Sequence, residues 1–173
     1  EDDSLYAKCE YYMGKYYMLN DSTELAMDCL QKAADVSEKN GDRYTQCMAL
    51  EKYSRVLRQT NPRKAVEVAR HAEQTYQKLP DVSQYNIIYL KLNVSDALLF
   101  ADHIVLAEKK CKEALGIAYA LKDSNVLSDV YQDMATIATQ RKDFKKALEC
   151  SKASYNTSTV YDITKALNRY SLS

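Results

Sequence analysis

Glycine and proline are scarce in this sequence, which has only three Gly and two Pro among 173 residues. An all-β sandwich needs turn residues at its corners, and an α/β domain that binds phosphate often carries a glycine-rich loop. Helices that are joined by short Asp or Asn turns need neither feature. The shortage therefore favours an all-α fold.

The chain also lacks net charge, because 24 Lys and Arg residues balance 24 Asp and Glu residues. Nucleic-acid-binding proteins usually carry a basic excess that displaces the counterions of the phosphates. We therefore expect no nucleic-acid partner for this segment, and we interpret the basic residues between Arg55 and Arg70 as a solvated face. No stretch is long and apolar enough to cross a bilayer, so we expect no membrane contact within it.

Residues that could carry catalysis or bind a metal are few. The sequence has two His, and its five Cys form neither a C-x-x-C pair nor a zinc-like spacing with them. No G-x-S-x-G, H-E-x-x-H or glycine-rich phosphate motif occurs. Four of the cysteines recur within apolar helix stripes, where Cys acts as a small hydrophobic residue. We therefore predict a protein that is not an enzyme and that has no cofactor and no metal site.

The chain begins with Glu1 rather than Met, and no signal peptide is visible. This start fits a mature chain that has lost a leader, and it also fits a segment of a longer protein. Both the cytoplasm and the bacterial periplasm are compatible with the sequence.

What the sequence does contain is an internal repeat. Four alanines, Ala26, Ala65, Ala107 and Ala147, are separated by 39, 42 and 40 residues. An Asp or Asn that can cap a helix start stands four or five residues before each of them: Asp21, Asn61, Asp102 and Asp143. A further small residue stands seven positions after each alanine: Ala33, Ala72, Ala114 and Ser154. Positions seven apart lie on one helix face, so each pair predicts a helix that a neighbour can approach closely.

Each of these helices is preceded by a segment whose apolar residues recur at intervals of three and four, which is typical of an amphipathic helix. In the first segment, the stripe that we expect to face the core comprises Leu5, Cys9, Tyr12, Met13 and Tyr16 or Tyr17. The stripes of the later segments are Cys47, Leu50, Tyr53 and Leu57, then Ile87, Tyr89, Leu90, Val94 and Leu98, and finally Leu127, Tyr131, Met134, Ile137 and Ala138.

These patterns predict a single domain over residues 1–173 that is built from antiparallel helix hairpins. The hairpins are expected at about 4–40, 42–79, 82–122 and 124–157. Gly41 is suited to cap the end of a helix, and Pro62 is suited to the first turn of one. Beyond the last hairpin, apolar residues at helical spacing predict a separate C-terminal helix at about 158–171.

The segment from Glu10 to Ala33 resembles a tetratricopeptide repeat. Gly14 stands at the small position of the first helix, and Ala26, Leu30 and Ala33 match the small–large–small triplet of the second. The segment from residue 131 to 154 matches as well, whereas serines replace the glycine in the two middle repeats. The repeat near 40 residues is longer than the usual form and resembles arrays in bacterial regulators and sensors.

The resemblance implies a right-handed superhelical solenoid whose first helices line a groove. The groove positions that we expect to contact a partner are Lys8, Tyr11, Lys15, Met18, Arg55, Arg58, Tyr89, Leu92, Asp96 and Gln132. Such a groove would be basic in its amino-terminal half, then apolar, then polar. An extended peptide with an acidic end would complement it.

The leading hypothesis is therefore a scaffold that binds a protein or peptide, as a sensor or regulatory segment of a larger bacterial protein. A module that associates with itself into a homodimer is an alternative reading. A helical domain that binds a small molecule is a more remote one.

Overall fold

The computed structural model describes the backbone of residues 2–170 and the side chains of residues 3–158. Within that part of the chain there are eight helices and no strand. The helices are α1 (Asp2–Leu19), α2 (Thr23–Asn40), α3 (Arg43–Thr60), α4 (Pro62–Gln77), α5 (Gln84–Phe100), α6 (Ile104–Leu121), α7 (Ser124–Gln140) and α8 (Phe144–Tyr170). The all-α fold and its four helix hairpins, α1–α2, α3–α4, α5–α6 and α7–α8, are as predicted.

The hairpins stack in chain order. Each helix packs on the helices before and after it, and the first helices of successive hairpins also meet, α1 with α3, α3 with α5 and α5 with α7. No contact joins hairpins that are further apart in the described part of the chain. This arrangement is that of a solenoid, in which every repeat buries its apolar side only against its neighbours.

The alanines that mark the repeat occupy equivalent positions in the four second helices. Ala26, Ala65 and Ala107 are fully buried, and Ala147 is nearly so. The small residues seven positions later are fully buried in α2, α4 and α6, whereas Ser154 of α8 is half-buried. The close approach that the alanines predict is therefore present in each hairpin.

Two of the four predicted helix caps are confirmed. The side chains of Asn61 and Asp143 accept hydrogen bonds of 3.1 Å from backbone N–H groups at the starts of α4 and α8. The prediction was wrong for Asp21 and Asp102, whose φ angles of 54° and 62° are left-handed. The three-residue turns before α2 and α6 need one left-handed residue, which Asp tolerates better than most residues do. In the turn before α8, Lys142 takes that position.

The stripe that was expected to bury α1 is also wrong. Leu5, Tyr12, Met13 and Tyr16 are between 45% and 63% exposed, and Cys9 is exposed as well. The side of α1 that faces the core carries Ala7, Tyr11, Gly14 and Met18 instead. α1 has two apolar stripes at helical spacing, and periodicity alone does not distinguish the stripe that another helix covers.

The segment 158–170 is helical, but it is not a separate helix, because α8 runs without a break from Phe144 to Tyr170. No Gly or Pro interrupts it. The hydroxyls of Thr157 and Ser158 donate hydrogen bonds of 3.0 Å to the carbonyls of Ala153 and Ser154, one turn earlier, which keeps these polar residues compatible with a helix. The apolar side chains after residue 158 lie outside the described side chains.

Ion pairs join the second, third and fourth hairpins. The carboxylate of Glu73 on α4 accepts hydrogen bonds from Lys91 on α5 at 3.0 Å and from Lys110 on α6 at 3.3 Å. Glu108 on α6 accepts one from Lys146 on α8 at 2.6 Å. Hydrogen bonds from Lys146 and Lys112 lower the pKa of Glu108 to about 2, so this carboxylate stays charged under ordinary conditions.

A close approach between α1 and α2 occurs at Gly14. A Cβ at this position would lie 2.6 Å from Cγ of the fully buried Leu30. We expect Gly14→Ala to lower the free energy of unfolding by about 1–3 kcal/mol, because the fully buried side chain of Leu30 has no free space into which it can move away from the added methyl group. Urea denaturation followed by circular dichroism would measure the change.

Gly116 supplies the matched control. It also lies inside a helix, α6, but a Cβ there would meet no atom within 4 Å. Gly116→Ala should therefore raise the free energy of unfolding by about 0.5–1 kcal/mol through helix propensity alone. Equal effects of the two substitutions would contradict the close approach at Gly14.

Candidate functional site

An open cavity of about 500 Å³ lies among the first helices α3, α5 and α7. We call it the central cavity. Six of the predicted groove residues line it, namely Arg55, Arg58, Tyr89, Leu92, Asp96 and Gln132. The register of three of the four first helices therefore brings residues from separate repeats to one place.

The other four groove candidates lie on α1, outside the central cavity. Tyr11 and Met18 are half-buried and pack against the core. The ammonium group of Lys15 lies 5.5 Å from the ring centroids of Tyr11 and Tyr12, and Lys8 is exposed. A contact between these residues and a partner stays a prediction.

Arg58 connects two walls of the central cavity. Its Nη1 donates to Oδ2 of Asp96 at 2.8 Å, and its Nη2 donates to the side-chain oxygen of Asn93. Nδ2 of the buried Asn93 donates in turn to Oγ of Ser54 at 2.7 Å, and that hydroxyl donates to the carbonyl of Glu51 at 2.8 Å. Because buried polar groups need partners, this chain of hydrogen bonds fixes α3 against α5.

Tyr89 connects α5 to α7, the third of the first helices that line the central cavity. Its hydroxyl donates a hydrogen bond of 2.9 Å to Oδ2 of Asp129, which joins α5 to α7. Burial, together with this hydrogen bond to a carboxylate, raises the pKa of Tyr89 to about 12. The ring is therefore held in place at the edge of the cavity and stays uncharged.

The two sides of the central cavity differ in the balance of their charges. The cations Lys52, Arg55 and Arg58 all come from α3, which also contributes one carboxylate, that of Glu51. The carboxylates Asp96, Asp129 and Asp133 come from α5 and α7. The amino-terminal side is basic, as the sequence indicated, but the side that was expected to be merely polar is acidic.

The cations on α3 differ in how fully they are neutralised. Arg58 is only 14% exposed and is paired with Asp96, and Lys52 lies 2.6 Å from Glu51. Arg55 is 49% exposed, and its guanidinium group is 3.7 Å from the nearer carboxylate oxygen of Glu51. Arg55 is therefore the α3 cation that is best placed to accept an anionic group from outside.

Asp133 is the residue that the sequence reasoning missed. Burial, followed by the nearby charge of Asp96, raises the pKa of Asp133 to about 7, and Asp129 adds to the effect while Arg58 opposes it. Burial also raises the pKa of Asp96, although its ion pair with Arg58 opposes that shift. A carboxyl group with so perturbed a pKa in a cleft marks a candidate binding site. The signal in the sequence was the spacing of four between Asp129 and Asp133, which places both on one face of α7.

Two further findings concern the described residues only. No group of three or more His, Cys, Asp or Glu side chains among them is arranged to hold a metal ion. None of their helices has the length and hydropathy of a membrane span.

The raised pKa of Asp133 predicts how stability responds to its removal. The pKa of the Asp133 carboxyl group is about 4 in the unfolded chain and about 7 in the folded one. As the pH rises from the lower to the higher of these values, such a group lowers the free energy of unfolding. We expect Asp133→Asn to raise the free energy of unfolding by about 1–2 kcal/mol near pH 8 and to change it little near pH 4. Urea denaturation at both pH values would measure this, and a variant that is less stable near pH 8 would contradict it.

Comparison with known proteins gives fold neighbours. No family model and no curated protein matches the sequence. One similar structure is a signal transduction ATPase with numerous domains (STAND) from Pyrococcus horikoshii, which has a tetratricopeptide repeat sensor. The match has a TM-score of 0.80 and a sequence identity of 21%, and it covers 96% of this chain and 26% of that protein. Another is a Rap protein complexed with competence and sporulation factor, with a TM-score of 0.80 and 16% identity over 98% of this chain and 47% of that one.

The chain thus spans about a quarter of the STAND protein and about half of the Rap protein. At these identities the likeness concerns the fold. Together with the four stacked hairpins, it shows that the chain has the fold of a tetratricopeptide-like helical repeat array, a right-handed superhelical solenoid.

Proposed function

We propose that this chain is a non-enzymatic scaffold that binds an extended segment of a protein or peptide in the central cavity. The observation that carries the proposal is the separation of charge across a cavity formed by three repeats. The fold supports it, because helical repeat arrays offer extended surfaces that suit protein partners. One of the two similar structures has a tetratricopeptide repeat sensor and the other is complexed with competence and sporulation factor, which favours a sensor or regulatory role within a larger protein.

The basic side of the cavity suits a carboxylate of the bound segment. A guanidinium group binds carboxylates through two parallel hydrogen bonds, and that of Arg55 is half-exposed and only loosely paired. Lys52 lies one helical turn away on α3, and these two cations outnumber the single carboxylate of Glu51 beside them. An acidic side chain, or a carboxyl terminus, is therefore expected here.

The acidic side suits a cation. Three carboxyl groups, those of Asp96, Asp129 and Asp133, face the single cation Arg58; burial is the main cause of the raised pKa of Asp133, and the charge of Asp96 adds to it. A Lys or Arg side chain, or an amino terminus, would relieve this repulsion. The ring of Tyr89, which is 45% exposed, offers an aromatic surface to a hydrophobic side chain, whereas Leu92 lines the cavity but is largely buried.

A set of labelled synthetic peptides tests this proposal. One peptide has Asp at one end, Leu in the middle and Lys at the other end, and its relatives are acidic at both ends, basic at both ends or uncharged. We expect the peptide of mixed charge to bind at least about tenfold more tightly than the others in fluorescence anisotropy titrations.

Two variants show whether that binding uses the cavity. Arg55→Glu should weaken the binding of the mixed-charge peptide by about tenfold or more, because an attraction becomes a repulsion. Arg70→Glu, an equally large charge change at an exposed position of α4, should leave it unchanged. The proposal fails if the mixed-charge peptide binds no better than the uncharged one, or if both variants behave alike.

The pKa of Asp133 adds a dependence on pH. A bound cation favours the ionised carboxyl group, so binding below about pH 7 must release a proton. The affinity for the mixed-charge peptide should therefore fall several-fold between about pH 8 and about pH 6. In Asp133→Asn this dependence should be lost, and an equally steep dependence in the variant would assign it to another group.

A further inference from the structure

Tyr76 differs from the other described residues that line the central cavity, because it alone comes from a second helix, α4. Its side chain is only 2% exposed. The hydroxyl oxygen accepts a hydrogen bond of 2.8 Å from Nδ2 of Asn86 and one of 3.1 Å from the backbone N–H of Ser83. These two bonds occupy both lone pairs of the oxygen and hold the hydroxyl at the start of α5.

The proton of that hydroxyl has no acceptor within the described part of the chain, although a tyrosine hydroxyl can donate one hydrogen bond as well as accept two. A second donor that lines the cavity is in the same state. Nε of Arg58 is buried and has no hydrogen-bond partner among the described residues. Buried donors in folded proteins are nearly always paired, and an unpaired one costs free energy. The central cavity therefore presents two donors for which the described chain supplies no acceptor.

The two donors lie along the same face of α5. Tyr76 is bonded to the side chain of Asn86, and the guanidinium group of Arg58 is bonded to that of Asn93. Asn86 and Asn93 are seven positions apart, so they share a face of α5 and lie about 10 Å apart along its axis. An extended chain covers that distance in about three residues. One short segment can therefore reach both donors.

The acceptor that fits these donors is an uncharged oxygen. The charge of Arg58 is already balanced by Asp96 at 2.8 Å, and Tyr76 offers a hydroxyl rather than a cation. A carboxylate is better placed beside Arg55, whose guanidinium group is exposed and only loosely paired. Every residue of a peptide carries an uncharged carbonyl oxygen in its main chain.

We propose that Tyr76 and Arg58 donate hydrogen bonds to two main-chain carbonyls of the bound segment, and that they hold its backbone whatever its side chains are. This inference rests on the proposed function, because it concerns the same cavity and the same ligand. It separates two roles within the site. Arg55 and Asp133 distinguish the side chains of the segment by their charge, whereas the two donors fix the position of its main chain.

Removal of the Tyr76 hydroxyl tests the inference. Tyr76→Phe should weaken the binding of the mixed-charge peptide and of the uncharged peptide by the same factor, about three- to tenfold, because one hydrogen bond to the main chain is lost. Arg55→Glu, in contrast, should weaken only the peptides that have an acidic end.

Tyr53→Phe is the matched control. Tyr53 is only 6% exposed, and its hydroxyl accepts a hydrogen bond of 3.0 Å from Lys64, but it is not part of the cavity lining. This variant also loses a buried hydroxyl that has a partner, and it should bind every peptide as the natural chain does.

An ester scan of the mixed-charge peptide shows whether the two donors touch the ligand or only hold α5 in place. An ester in place of a backbone amide weakens the carbonyl as an acceptor. Esters at two positions, about three residues apart, should each weaken binding to the natural chain several-fold. The effect at one position should disappear in Tyr76→Phe and the effect at the other in Arg58→Lys, because each variant lacks one donor. If the donors only position α5, both effects persist in both variants.

The main-chain contact alone is overturned if the mixed-charge peptide keeps its preference and its sensitivity to Arg55→Glu, while Tyr76→Phe binds every peptide like the natural chain. A loss in Tyr76→Phe that is confined to peptides with an acidic end also overturns it, because the acceptor is then a carboxylate. If no peptide binds the natural chain, the function proposed for the central cavity fails, and the main-chain contact fails with it.

Discussion

Close approach between neighbouring helices is the constraint on which this structure depends. The alanines at the repeat positions have no exposed surface in α2, α4 and α6, so each second helix can lie near both its own first helix and the next one. This packing brings the first helices side by side. Only at that separation can Arg58 of one first helix reach Asp96 of the next, and Tyr89 reach Asp129. The central cavity therefore depends on small residues that do not line it.

The hairpins could be predicted from the sequence because their signal is local and repeated. An alanine, a small residue seven positions later and a preceding apolar stripe define one hairpin without reference to the others. The errors arose where one residue type suits two conformations or two environments. Asp is favoured both as a helix cap and in a left-handed turn position, which explains the misplacement of Asp21 and Asp102. Similarly, the two apolar stripes of α1 have the same helical spacing, so the spacing does not tell which of them the next helix covers.

The lining of the central cavity was predictable in part, but its electrostatics were not. The resemblance to tetratricopeptide repeats placed Arg55, Arg58 and Asp96 in one groove, because positions that repeat in a solenoid repeat in space. Which of these charged side chains pair with one another does not follow from their positions in the repeat. Arg58 is largely neutralised by Asp96, so Arg55 is the better-placed cation, and the pKa of Asp133 depends on charges that are distant in sequence. Such effects depend on distance and burial, which a pattern of letters does not contain.

The location of the cavity across three first helices has a mechanical consequence. In a solenoid, curvature is the sum of small rotations between neighbouring repeats, and each rotation can vary with little cost to the others. A segment that touches both α3 and α7 would restrain two of these rotations together, whereas the rotation between the first two hairpins would keep its own compliance. A bound segment would thus make the second to fourth hairpins more rigid relative to one another and leave the first hairpin free to move relative to the second.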